Sequence, residues 1–282
     1  MIRTPPGWGA DVITQAYRSM TLTSDVESWQ TSDTPAIRRI RDEDLRWALQ
    51  RGWEDFKASR SDVVFLCVLY PLVGLLLARL AFGYEMLPLI FPLASGFALL
   101  GPLAAVGLNE MSRRRELGLS AGWADAFKVF RSPSLHAMAL LGLALVMIFV
   151  FWLLAAQFIY NITLGPKPPV SVDAFVHDVL HTRAGVAMAF LGCGVGFVFA
   201  AVALAISAVS FPMLLDRKVS FETAVMTSVN VVRHNPVTMA KWGIIITGGL
   251  IAGSVPLLLG LMIVMPVLGH ATWHLYRRVV LR

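Results

Sequence analysis

Apolar stretches about as long as a bilayer is thick recur through most of this chain. Crossing some 30 Å of hydrocarbon takes roughly 20 apolar residues in helical form. Only helices and closed barrels satisfy their own backbone polar groups in lipid. The stretches are 62–83, 86–111, 135–160, 184–215 and 236–276. The last is too long for one helix, and Gly253, Ser254 and Pro256 punctuate its middle, so it divides into 236–254 and 256–276. The expectation is an all-α polytopic membrane protein with six transmembrane helices. A polar tail over 1–40 precedes a membrane domain over 41–282. The first twenty residues lack the apolar core of a secretory signal, so insertion is expected to be driven by the internal spans.

Composition agrees. Of 282 residues, 56% are hydrophobic and 15% charged, against roughly 25% charged in ordinary soluble domains. The net charge of +6 could suit nucleic acid, but the basic residues gather just outside apolar blocks. Arg113, Arg114, Arg115, Lys128 and Arg131 follow the second span. Arg217, Lys218 and Arg233 follow the fourth, and Arg277, Arg278 and Arg282 the last. The 161–183 loop holds only Lys167 and Arg183, and the 84–85 turn holds no basic residue. That alternation is the positive-inside pattern of six spans with both termini in the cytoplasm. A five-span chain would leave Arg277 and Arg278 outside. The expected partners are therefore the bilayer and other membrane proteins or further copies of the chain, not nucleic acid.

Placing Pro133 over Pro236 aligns 108–134 with 211–237 without a gap. In both, a span ends in charges, and Ser120 or Ser220 stands where a helix N-cap belongs. An amphipathic stretch follows: Trp123, Ala126, Phe127 and Phe130 in one copy, Phe221, Ala224, Val225, Val229 and Val232 in the other. Each ends before a proline suited to the first turn of the next span. A third copy, over 43–58, carries the stripe Leu45, Ala48, Leu49, Gly52, Trp53 and Phe56, with Arg46, Arg51, Glu54, Asp55 and Lys57 assigned to other faces. The chain reads as three units, each an interfacial elbow helix followed by a hairpin of two spans. Trp8 and Trp29 in the tail are candidate lipid or partner anchors.

Candidate chemistry is sparse. His270 and His274 share one helical face, a spacing that can ligate metal or flank a haem, yet no carboxylate lies within two turns along the chain. An interfacial belt with Trp273, Tyr276 and Arg277 is the reading preferred over metal or haem. Asp173, His177 and His181 recur every four residues in the 161–183 loop and would line one face of a helix with the donors of a zinc site, while Val172, Phe175, Val176, Val179 and Leu180 make it equally an ordinary amphipathic helix. Asn109, Glu110, Arg113, Arg114, Asp216 and Arg217 form a candidate interfacial polar network at the ends of spans two and four. Arg79, near the end of span one, can snorkel. Gly192 and Gly196, like Gly249 and Gly253, have GxxxG spacing that allows close helix packing. Pro71, Pro92, Pro102, Pro212 and Pro266 should kink spans. Cys67 and Cys193 form no thiolate or disulfide framework, and no cofactor is expected.

GPLAAVGLNEMSRRRELG at 101–118, GWADAF at 122–127, SFPMLLDRKVSFETAVMTSV at 210–229 and PVLGHATWHLYRR at 266–278 together resemble an uncharacterised family of bacterial inner-membrane proteins, a domain of unknown function. The resemblance covers roughly 35–280, and some members are labelled cytochrome c oxidase subunit I-like. The second half is also similar to the membrane domain of glycerophosphodiester phosphodiesterases. The resemblance implies a six-span inner-membrane protein without an assigned activity. The residues do not carry the oxidase label, because only His270 lies near span depth where haem and copper need several histidines. The phosphodiesterase's catalytic metal ligands have no counterpart here either. The expectation is a non-enzymatic scaffold or accessory subunit of an inner-membrane complex, such as a respiratory one. The alternative is a carrier or channel for a small or lipid-like molecule, which the kinked, glycine-rich spans would suit.

Overall fold

The computed structural model describes residues 35–59, 84–119, 121–256 and 259–281. The first expected span (62–83, with Pro71 and Arg79), Trp8, Trp29 and Ser120 lie outside the described residues. Those described are helical, and the only β feature among them is a bridge between Ile37 and Val280. In chain order the helices are α1 (Asp42–Ala58), α2 (Ile90–Leu99), α3 (Gly101–Ala104), α4 (Val106–Glu116), α5 (Trp123–Ala126), α6 (Leu135–Thr163), α7 (Val172–His181), α8 (Arg183–Ser207), α9 (Ser210–Asp216), α10 (Phe221–His234), α11 (Pro236–Ser254) and α12 (Leu261–Val279). Turns of 3-10 helix at Tyr84–Leu89 and Phe127–Arg131 precede α2 and follow α5.

Three helical segments among the described residues are long and apolar enough to cross a membrane: Leu135–Thr163, Arg183–Asp216 and Pro236–Ser254. Leu87–Gly96 is a shorter apolar helix. Two of the prolines mark interruptions, whereas Pro266 lies within the unbroken α12. Pro212 has no N–H to offer the carbonyl four residues back, and the helix breaks at Ala208–Val209 between α8 and α9. Ser210 Oγ donates to Ala224 O at 3.0 Å, and Val209 N donates to Ser228 Oγ at 3.4 Å, tying the break to α10. Pro102 follows another break at Leu100. The second apolar stretch is thus a chain of short helices, and it continues past 111 to Glu116, with Arg113–Arg115 inside α4. The final stretch divides after Ser254 as expected, but α12 begins at Leu261, not 256, and runs on to Val279. At that division Gly253 and Gly260 nearly touch, a Cβ on Gly260 falling 2.7 Å from Gly253 Cα.

Elbows one and three are continuous helices, α1 and α10. Ser220 caps α10 as expected, its Oγ accepting from Thr223 N at 3.1 Å. Elbow two is a short helix run into a 3-10 turn. Its N-cap is Gly122, whose N–H donates to Asp125 Oδ2 at 3.0 Å. Pro133 precedes α6 instead of opening it, whereas Pro236 does open α11.

Residues 36–40, at the end of the polar tail, are packed against the rest of the chain. Leu281 N donates to Ala36 O, Arg38 N to Val279 O and Ile40 N to Asn235 Oδ1, all within 2.9 Å. These contacts hold the segment before α1 against both α12 and α10. They also place the start and end of the described chain side by side.

A buried polar cluster as the candidate functional site

The largest helix–helix interface joins α1 to α12, which also packs on α4 and α11. Gly52 makes the approach possible: a Cβ there would lie 2.6 Å from Val267 O and 2.7 Å from Ala271 N. Leu45, Ala48 and Phe56 are buried along the contact. Two assignments from the sequence change here. Trp53, counted on the apolar stripe, is 44% exposed, and Asp55, assigned to another face, is 6% exposed. The periodicity explains both. Asp55 falls seven residues after Ala48 and three after Gly52, so it belongs on their face, while Trp53 lies a full 100° round from Gly52.

Asp55 is the centre of a polar chain. Its Oδ2 accepts from Ser112 Oγ at 2.6 Å and from His274 Nε2 at 2.8 Å. Its Oδ1 faces Arg115 Nη1 at 3.2 Å. Ser112 Oγ also meets His270 Nδ1 at 2.8 Å. An ionised carboxylate can only accept, so the single Ser112 hydroxyl proton points to Asp55. His270 Nδ1 must then donate to Ser112, and its Nε2 carries the lone pair. That nitrogen is buried without a hydrogen-bond partner, as is Asn109 Oδ1. Burial alone would raise the Asp55 carboxyl, but the hydrogen bonds from His274 and Ser112 outweigh it and hold the carboxyl below the ordinary range. Over the cluster, Trp47 meets His274 edge-on at 5.6 Å, and Arg278 stacks on Trp47 at 4.0 Å.

A second cluster flanks the first. Glu116 accepts from Trp273 Nε1 at 2.9 Å and from Arg277 Nη2 at 2.8 Å. Asp216 accepts from Tyr276 OH at 2.7 Å and lies 3.5 Å from Arg277 Nη1 and 4.0 Å from Arg217 Nε. Arg217 Nη2 reaches Leu281 O at 2.6 Å. Glu110 pairs with Arg113 at 2.7 Å, and Arg114 lies 3.5 Å from Asp125. The expected network of Asn109, Glu110, Arg113, Arg114, Asp216 and Arg217 is thus distributed among separate partnerships. Through Trp273, Tyr276 and Arg277, α12 joins two of the carboxylates, Glu116 and Asp216. Asp55, Ser112, Arg115, Glu116 and Tyr276 were not singled out from sequence as members. The signal available was Asp55 on the apolar face of its own helix.

His270 and His274 do lie on one face of α12, but a serine and a carboxylate occupy the space between them. In the 161–183 loop, Ser171 caps α7 and the helical register expected for Asp173, His177 and His181 forms. His177 and His181 stack on each other at 4.8 Å. Among the described residues no three His, Cys, Asp or Glu side chains gather to hold a metal ion. A hydroxyl between imidazole and carboxylate has the donor set of nucleophilic catalysis. Ser112 is 1% exposed, however, and its proton points to the acid instead of the imidazole. The arrangement works as a clasp joining α1, α4 and α12.

Of the expected packing glycines, a Cβ on Gly196 would meet the Trp152 ring at 3.0 Å, and one on Gly249 would meet Val264 at 3.1 Å. Gly192 faces open space. Trp152 Nε1 also donates to Pro92 O at 2.9 Å, fastening α2 to α6.

Residues 90–216 match a family model described as "Predicted integral membrane protein (DUF2189)", an uncharacterised membrane family of the kind the sequence resembles. No curated protein and no solved structure gives a significant match to the chain.

Proposed function

We propose that this integral membrane protein, matched over residues 90–216 to the DUF2189 family, is a non-enzymatic scaffold or accessory subunit of a bacterial inner-membrane complex. One observation carries the reading. Polar side chains of α1, α4 and α12 turn inward and pair with one another, while the long apolar helix α8 buries only Gly185, Ala203 and Ser207 and leaves Phe190, Phe197 and Val198 largely exposed. A helix so little engaged by its own chain is available to lipid or to a helix of another subunit. Glycine gaps that would favour a carrier are filled from within at three places: Gly96 by Phe149 and Trp152, Gly196 by Trp152, and Gly253 by Leu261 and Gly260.

Six crossings with both ends in the cytoplasm remain the topology that fits best. The Ile37–Val280 bridge sets the two ends of the described chain on one side, which supports an even number of crossings. The basic residues of α4 and α12 cluster at that same end, which supports its assignment to the cytoplasm. Extraction in a mild detergent followed by native mass analysis tests the function. A stoichiometric membrane-protein partner or a defined oligomer is expected. A lone monomer under every gentle condition would sink the proposal.

A further inference from the structure

The three elbows differ in where their apolar residues go. Elbow one buries Leu45, Ala48 and Phe56, and elbow three buries Ala224 and Val231. In elbow two, Phe127 is 46% and Phe130 66% exposed. The reason is local. Phe127–Arg131 is a 3-10 turn with three residues per turn, so side chains at i and i+3 eclipse. This sorts the segment into three faces. Ala126 and Val129 point into the core. The Phe127 and Phe130 rings stack at 6.3 Å and 18° on the second face. Lys128 and Arg131 share the third, and both are exposed.

This prism stands immediately before the 29-residue apolar helix α6. Leu140, Leu143 and Met147, outward on α6, continue an apolar surface away from it, and the exposed Leu117 and Leu119 precede it in the chain. An aromatic pair beside cationic side chains, at the point where an apolar helix enters the bilayer, matches the chemistry of the headgroup layer.

We infer that Phe127–Arg131 is a membrane-interface anchor. Phe127 and Phe130 insert at the boundary of headgroups and acyl chains, and Arg131 contacts the phosphates of anionic lipids. Lys128 assists while tied to Asp125. Continuity with the exposed apolar side of α6, a helix long and apolar enough to span the bilayer, selects lipid over a protein partner as the occupant. The inference rests on the chain being membrane-embedded and is independent of the scaffold role.

The test uses the full chain with Cys67→Ser and Cys193→Ser, reconstituted in nanodiscs containing phosphatidylcholine and phosphatidylglycerol. Single cysteines from Phe127→Cys, Phe130→Cys, Arg131→Cys and, as a bilayer reference, Leu143→Cys carry a spin label. Expected is greater relaxation by oxygen than by a water-soluble nickel chelate at 127, 130 and 143, and the reverse at 131. Chelate access at 127 and 130 with 143 still lipid-exposed overturns the anchor alone. Exclusion of both reagents at 127 and 130 also overturns it, by revealing a protein partner. An aqueous reading at 143 overturns the membrane placement of α6 and the anchor with it. In native mass spectra, Lys128→Gln with Arg131→Gln should lower retained phosphatidylglycerol relative to phosphatidylcholine several-fold. An unchanged ratio overturns the anionic-lipid assignment.

Discussion

Helices α8 and α12 invert the rule that holds in water. The segment containing α8 is the more apolar, and only 6% of its most apolar window is buried within the protein. The less apolar α12 carries His270, Trp273 and Tyr276, all 0–1% exposed. In a bilayer the surroundings are as apolar as any core, so an apolar helix gains little by turning inward. A helix bearing imidazoles and a phenol must be covered by protein, because lipid offers those groups no partners.

The strongest challenge to that comparison is Asp55→Ala. It leaves His274, Ser112 and Arg115 facing an empty site, and removing one member of a buried charged set typically costs about 3–5 kcal/mol. Unfolding in detergent, followed by tryptophan fluorescence, should show a loss of that order. Phe190→Ala on α8, at a site 81% exposed, should change stability by under about 0.5 kcal/mol. Equal losses for the two would break the comparison.

The same residue sets an acid limit. Its folded-state carboxyl is held below the ordinary value, with His270, His274, Arg115 and Ser112 facing it. The contribution is therefore fully present above the unfolded pKa of roughly 3.9 and disappears as pH falls through the lower folded value. Asp55→Asn should start less stable and lose this part of the acid transition in a pH titration of fluorescence. A wild-type-like acid limb in the variant would show that Asp55 does not set it.

Gly52→Ala should come next, with a loss of about 1–3 kcal/mol, because its methyl would meet the backbone of α12 at Val267 and Ala271. Tyr276→Phe removes a hydroxyl from Asp216, which keeps Arg277 nearby, so about 1 kcal/mol is expected from the melting shift. Gly192→Ala completes the series. Outside the backbone of its own helix turn, nothing lies within 4 Å of its Cβ position, and helix propensity favours alanine, so no loss should be measurable in the same melt.

Much of the helical layout was legible in the residues. Ser220 marks the start of α10, Ser254 the end of α11, and the pattern over 43–58 the extent of α1. The interruptions were legible less completely. Pro212 and Pro102 signal a weak point, but not that the helix would open at Ala208–Val209 or Leu100. The candidate site was legible only in fragments. His270 and His274 could be placed on one face, yet their partners lie on α1 and α4, with His274 separated from Asp55 by 219 positions. Nothing local indicates that contact.

By itself, then, the sequence determined a helical membrane protein with a basic end, because apolar length and loop charge are properties of contiguous segments. Only the tertiary structure decided which helix is covered by the chain itself and which is left exposed. Apolar faces look alike in a sequence whether they meet a neighbouring helix or an acyl chain. The difference lies in long-range contacts: Gly52 admitting α12, Asp55 finding His274, and Ile37 pairing with Val280.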